Sequence, residues 1–194
     1  VGNYVGKVAL AAVGASTPII NMLIGFFMGI STVAGVVIAQ FFGAGNTCKM
    51  KRAIHNSIAL TLVMGVVLTI VGLLFNDPIL KAIGVPSEVF SEASTYLSIY
   101  FWSLIFVMVY NMGSGILRSV GDSKRPLYFL IFSSVVNIIL DFLFVKYFHF
   151  GVAGAGYATL IAQAISAIMV MYVLMKTEDD YKVVLKEIGF DKEI

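Results

Sequence analysis

Five long apolar stretches separated by short polar connections dominate this chain. Ala15 to Phe42, Ala53 to Phe75, Ala93 to Leu117, Pro126 to Phe148 and Val152 to Met175 are broken mainly by Ser, Thr, Asn, Tyr, Gln and Gly. Each exceeds the roughly 20 helical residues needed to cross a hydrocarbon core. The pattern predicts transmembrane helices near residues 15–42, 53–75, 93–117, 126–148 and 152–175, an all-α polytopic membrane bundle. The opening VGNYVG reads as the tail of a preceding helix, so the chain is expected to be a fragment in which no signal peptide can be sought.

Polar residues inside the spans recur at helical spacing. In the first span, Pro18 is expected in the opening turn, and Gly25, Gly29, Ser31, Thr32 and Gly35 form a small-residue edge for close helix packing. In the second, Ser57, Thr61, Gly65, Thr69 and Gly72 repeat at three- and four-residue steps, and His55 is expected to be solvated at headgroup level beside Lys51 and Arg52. Tyr96, Tyr100, Ser103, Tyr110 and Ser114 share a face of the third. Tyr96 and Tyr100 read equally as an interfacial aromatic belt or as a cavity wall, whereas the position of Tyr110 and Ser114 favours a polar cavity. In the last span, GVAGAGYATL predicts close packing, and Thr159, Gln163 and Ser166 form a stripe able to face the fourth.

The connections carry turn and charge signals. GAGNTCKMKR (43–52) and RSVGDSKR (118–125) read as basic loops, the second turning at Gly121-Asp122 with Pro126 opening the next helix. Asn76 to Glu92, with Asp77, Pro78, Pro86 and Ser87, reads as a loop around an interfacial turn. Lys176 to Ile194 is charged but keeps Tyr181, Val184, Leu185 and Ile188 on one stripe, which predicts a helix lying on the membrane surface, with a disordered tail as the alternative.

Composition narrows the class. With 59% hydrophobic and 12% charged residues and a mean hydropathy of +0.95, the chain is a membrane protein, since about a quarter of a soluble domain is charged. The net charge of +2 and the absence of an aromatic-interleaved basic run argue against nucleic acid as a partner. A lone Cys48 with only His55 and His149 leaves neither an intrachain disulfide nor zinc spacing. No HExxH, GxSxG, Ser-Lys or paired-Asp arrangement stands in the spans, so neither an enzyme nor an organic cofactor is expected. Lys49, Lys51, Arg52, Arg118, Lys124, Arg125, Lys176, Lys182, Lys186 and Lys192 fall on one side, and only Lys7, Lys81 and Lys146 on the other. The positive-inside rule then places loops 43–52 and 118–125 and the C-terminal segment in the cytoplasm, with the helices in the cell membrane.

One residue stands out against this background. Asp141 lies inside the apolar run 126–148, where an ionised carboxylate costs roughly 2.5–3.5 kcal/mol at the bilayer centre and marks a functional position by default. Asn137 lies one turn before it and Ser134 one turn before that, on one stripe. A carboxylate beside a neutral amide oxygen suits a hard cation such as Na⁺, and the same pair suits a proton. An ion pair with Lys146, five positions on and about 140° around the helix, is poorly aligned. Asp141 lies about 10 Å along the axis from Phe148, in the outer half of the membrane on this topology.

At these residues the chain resembles the multidrug and toxic compound extrusion (MATE) family. The resemblance rests on VGKVALAAVGASTP, VVIAQFFGAGN, GILRSVGDSKRPL, NIILDFLFV and GVAGAGYATLIAQ in this order, and covers almost all of residues 1–176. It implies the N-terminal lobe, residues 1–175, of a two-lobe, twelve-helix transporter, followed by a truncated inter-lobe linker, 176–194. It also implies export of drug-like or toxic, often cationic, organic compounds in exchange for Na⁺ or H⁺, with the missing C-terminal lobe as partner. Asp141, Asn137 and Thr159 match the family's cation-binding residues. Ser114, Ser134 and Gln163 would line the lobe cavity, with Tyr110, Tyr100 and Tyr96 as further cavity residues. The family's first-helix acid has no counterpart here. A lipid-linked precursor flippase of the same superfamily is the alternative within transport, disfavoured because no span carries a deep Arg or Lys to hold pyrophosphate. A non-transporting membrane scaffold, with Asp141 pairing helices, is the alternative outside it.

Overall fold

A computed structural model of the protein describes residues 7–189 and is all-helical over that range. The elements are α1 (Lys7–Gly43), α2 (Thr47–Ala82), α3 (Ser87–Ser119), α4 (Lys124–Phe142) continued by a π-helical turn (Leu143–Tyr147), and α5 (Gly151–Lys176). Among the described residues, five helices are long and apolar enough to cross a membrane. The expected helix tail at residues 1–6 and the last five residues of the charged segment lie outside the described range.

The helices run past their apolar windows because local chemistry continues them. Instead of a basic loop over 43–52, a short turn at Gly45 (φ 67°) leads into α2, capped by the Asn46 side chain accepting from Lys49 N–H at 3.1 Å. The second basic loop is equally brief. Gly121 (φ 91°) makes the turn, and Asp122 takes the Arg125 N–H (3.1 Å) and the Arg125 Nε (3.2 Å) on its two carboxylate oxygens. α4 therefore starts at Lys124, two residues before Pro126. Pro18 is interior to α1, eleven residues in, not in an opening turn. Around its missing N–H, Ser16 and Thr17 donate back to the carbonyls of Ala12 (3.1 Å) and Val13 (3.0 Å).

The expected loop 76–92 is helical as far as Ala82, with Pro78 inside α2. Asn76 fastens this extension to α3. Its Nδ2 donates to the carbonyl and hydroxyl of Ser94 (2.9 and 3.0 Å) and to Ser98 Oγ (2.6 Å), while Ser94 Oγ donates to Asp77 Oδ1 (2.7 Å). The chain reverses at Gly84 (φ 74°), and α3 opens at Ser87.

α3 is the hub, packed on α1, α2 and α5, while α4 joins mainly through α5. Small residues set these approaches. A Cβ on Gly72 would stand 2.2 Å from Phe101 of α3, one on Gly113 2.8 Å from Val170 of α5, and one on Gly115 3.1 Å from the Ser31 carbonyl of α1. Gly154 and Gly156 bring α5 equally close to Phe144 and Ile99. Gly25 and Gly29 differ from the expected packing edge, since nothing described lies within 4 Å of a Cβ there. They line an apolar groove of about 600 Å³ with Ile30, Ser57, Leu60 and Met112. Large apolar side chains such as Leu74, Ile138 and Ile168 are exposed, as lipid-facing positions require.

Among the described residues after α5 there is no surface helix. The chain turns at residues 179–181 and folds back, with one 3₁₀ turn at Leu185–Glu187. Val183 is buried and donates its N–H to the Leu174 carbonyl at 2.8 Å, while Tyr181 and Ile188 pack on the same apolar cluster as Ile54, Ile116 and Leu174. Of the apolar stripe, Tyr181 and Ile188 are half-buried at the end of the bundle while Val184 and Leu185 stay exposed. The Thr177 hydroxyl donates to Asp179 at 2.7 Å and holds that carboxyl below the usual carboxylate range.

Candidate functional site

α3, α4 and α5 converge on Asp141. The reversal at His149 (φ 54°) and Gly151 (φ 58°) sets α4 beside α5, and the glycines of α5 let it approach both the π-helical turn and α3. Asp141 Oδ1 and Asn137 Nδ2 are both shielded from solvent and have no hydrogen-bond partner among the described residues. They lie one turn apart on the same face of α4. The asparagine amide presents its oxygen in place of its nitrogen after a half-turn of the group, so the position supplies either a donor or a neutral oxygen ligand.

The neighbours come from the other two helices. The Tyr96 phenol of α3 lies near Thr159 of α5 and Asp141 of α4. The Thr159 hydroxyl donates to the Ala155 carbonyl at 3.0 Å, which leaves its lone pairs to accept or to ligate. The set Asp141, Asn137, Thr159 and Tyr96 is an all-oxygen donor group once the amide is turned, suited to a hard monovalent cation or a proton. Directly after it the helix changes to π winding, and Phe148 N–H bonds to Leu143 O at 3.1 Å. Lys146 sits in that turn with its Nζ 4.5 Å above the centre of the Phe142 ring.

The other sequence-predicted residues are dispersed. Ser134 is exposed, although it shares the stripe of Asn137 and Asp141. Gln163 is half-buried and its carbonyl accepts from Ser166 Oγ at 2.9 Å. Ser114 is buried between Gly113 and Gly115 at the tight helix crossing, about 27 Å along α3 from Tyr96, and its Oγ lacks a partner among the described residues. Tyr100 is buried in the apolar core with Leu97, Phe101 and Leu104. Tyr110 uses its hydroxyl to bond the Pro126 carbonyl at 2.9 Å, tying α3 to the start of α4.

Two polar centres were not anticipated. The Asn76–Ser94–Ser98 group was hidden by the turn signals of Asp77 and Pro78, though Ser94 and Ser98 are spaced one helical turn apart. His55 is buried at 4% exposure, not solvated, because the C-terminal segment lies over it and Val184 N–H donates to its Nε2 at 3.0 Å. Its sequence context of adjacent bases suggested water, and only the return of a segment 129 residues away covers it.

Comparison with known proteins bears on what these residues do. The family model described as MatE matches residues 1–143. "Probable multidrug resistance protein YoeA" of Bacillus subtilis (strain 168) is 34% identical over 201 residues, covering 100% of this chain and 43% of that protein. A multidrug resistance MATE family transporter of the MOP superfamily, solved inward-facing, aligns with a TM-score of 0.89 at 29% identity over 96% of this chain and 42% of the other. An outward-facing conformation under the same description also gives 0.89 at 29% identity, over 97% of this chain and 42% of the other. The chain thus spans less than half the length of the relatives it matches.

Proposed function

This chain belongs to the MatE family, and from that premise we propose that it is the N-terminal lobe, residues 1–175, of a secondary antiporter. The whole protein exports drug-like, often cationic, organic compounds across the cell membrane in exchange for Na⁺ or H⁺. Segment 176–194 leads towards a second lobe of the same protein. The basic ends of the helices face the cytoplasm, which puts Asp141 in the outer half of the bilayer.

The observation that carries this reading is the pair of orphaned atoms. A buried carboxylate oxygen and a buried amide one turn apart, both without partners among the described residues, are costly in a membrane unless a bound species satisfies them. A cation bridging Asp141, Asn137 and Thr159, or a proton on Asp141, neutralises the charge and supplies the missing interaction. Tyr96 adds a phenol oxygen from the facing helix. Export follows if the ion-loaded and substrate-loaded forms favour different arrangements of the two lobes, because coupling equals the difference in ligand affinity between those arrangements.

The test is efflux of a fluorescent organic cation from cells or vesicles carrying the full-length parent protein. Asp141→Asn removes the ionisable group and is expected to abolish the dependence of efflux on an imposed Na⁺ or H⁺ gradient. Efflux that is unchanged and still gradient-dependent would overturn the assignment.

A further inference from the structure

At the basic end of the bundle, far from Asp141, the segment after α5 is hydrogen-bonded to α2 at a histidine. Val184 N–H donates to His55 Nε2 at 3.0 Å, so that nitrogen carries no proton. The proton is then on Nδ1, which donates to the Lys51 carbonyl at 2.7 Å. These two bonds, one to its own helix and one to the returning segment, require the neutral imidazole in that one tautomer. Around this bond Val183 is 2% exposed, and Lys51 Nζ reaches Asp180 Oδ1 at 3.5 Å.

We propose that His55 is the catch of a proton-released clamp, holding segment 177–188 against the start of α2 while its imidazole is neutral and freeing it on protonation. A proton on Nε2 takes the lone pair that Val184 uses and sets two N–H groups against each other in a buried place. The titratable and charged groups about the catch are Glu187 and Asp180 on the segment, Lys182 and Lys186 beside them, and Lys51 and Arg52 on α2. Among the described residues Glu187 is the carboxylate placed to reward protonation, with Oε2 3.8 Å from Nε2. Its side chain is 62% exposed, so water screens that attraction, whereas the main-chain bond it competes with is shielded. Loss of the amide bond prevails, and the segment loosens as the pH falls. On the antiport reading, this would lengthen the free connection between lobes in an acidified cytoplasm; the clamp itself does not depend on that reading.

Hydrogen–deuterium exchange of the full-length parent in lipid nanodiscs tests it, with rates corrected for the intrinsic effect of pH and read on peptides covering 181–188. In the wild type, protection is expected to fall about tenfold between about pH 8 and about pH 5, the interval in which histidine titrates. Asp179, which Thr177 holds below the usual carboxylate range, stays ionised throughout this interval. His55→Gln supplies a neutral acceptor and should keep protection at both ends of the range, while His55→Leu should lose it at both. Glu187→Gln should leave the wild-type fall in place. Protection that is independent of pH in the wild type, or that rises at low pH and ceases to do so in Glu187→Gln, would overturn the proposal. These readouts involve no transport, so a failed clamp and a failed efflux assignment are told apart.

Discussion

At the scale of single residues, the consequence of a polar group depends on whether its partners arrive with it. Asn76 has three acceptors in reach of one amide nitrogen, so it works as a cross-helix fastener between α2 and α3. Asn76→Ala is expected to destabilise the lobe by about 1–2 kcal/mol, read as a lower thermal unfolding temperature in detergent, because Ser94 and Ser98 lose a donor they share. Asn76 leaves only its Oδ1 without a partner among the described residues, whereas Asp141 and Asn137 carry open atoms together on one face of α4. Substitution there should affect fold stability little and ion dependence strongly, and that split separates a binding role from a packing one. Ser114, orphaned inside a helix crossing, resembles Asp141 in lacking a partner but not in charge, and the structure offers no account of its use.

At the scale of helices, glycine positions divide into those that are occupied and those that are open. Gly72 accommodates the Phe101 ring, which a methyl group would overlap at 2.2 Å. Gly72→Ala should therefore cost about 1–3 kcal/mol through overpacking. Gly25→Ala, where nothing described lies within 4 Å, should leave stability unchanged or raise it by up to about 1 kcal/mol from helix propensity. Thermal unfolding of both variants checks the pair, and a large loss at Gly25 would mean that its groove is filled by protein beyond this chain. The π-helical turn after Phe142 is an element-scale feature as well, because it re-aims the end of α4 towards α5 directly after the acid.

At the scale of the whole molecule, the lobe matches an inward-facing and an outward-facing relative equally, with TM-scores of 0.89. Its fold is therefore common to both of those structures, and the antiport proposed above has the lobe move as one body. The prediction is that spin labels at Val66 of α2 and Ile168 of α5, both exposed, keep one distance distribution in the full-length protein with and without the coupling ion or at changed pH. A pair spanning the two lobes should shift. A resolvable shift within the lobe would show that the bundle itself deforms.

Five spans, their order, the basic bias of one end and the cost of Asp141 were all legible in the chain, because hydropathy and the price of a charge in hydrocarbon are local properties. The stripe of Asn137 and Asp141 was equally readable, since helical periodicity puts both on one face of α4. Helix ends were less so: Pro18 and Pro78 signalled boundaries, yet both lie inside helices. Only the tertiary structure decided that Tyr96 meets Thr159 and Asp141, that Tyr100 belongs to the core, and that His55 is buried beneath Val184. Those outcomes depend on which faces of α3 and α5 meet, and on where the chain returns after α5. Such long-range choices are set by the packing of small against large side chains across helices, which spacing along a single helix does not encode.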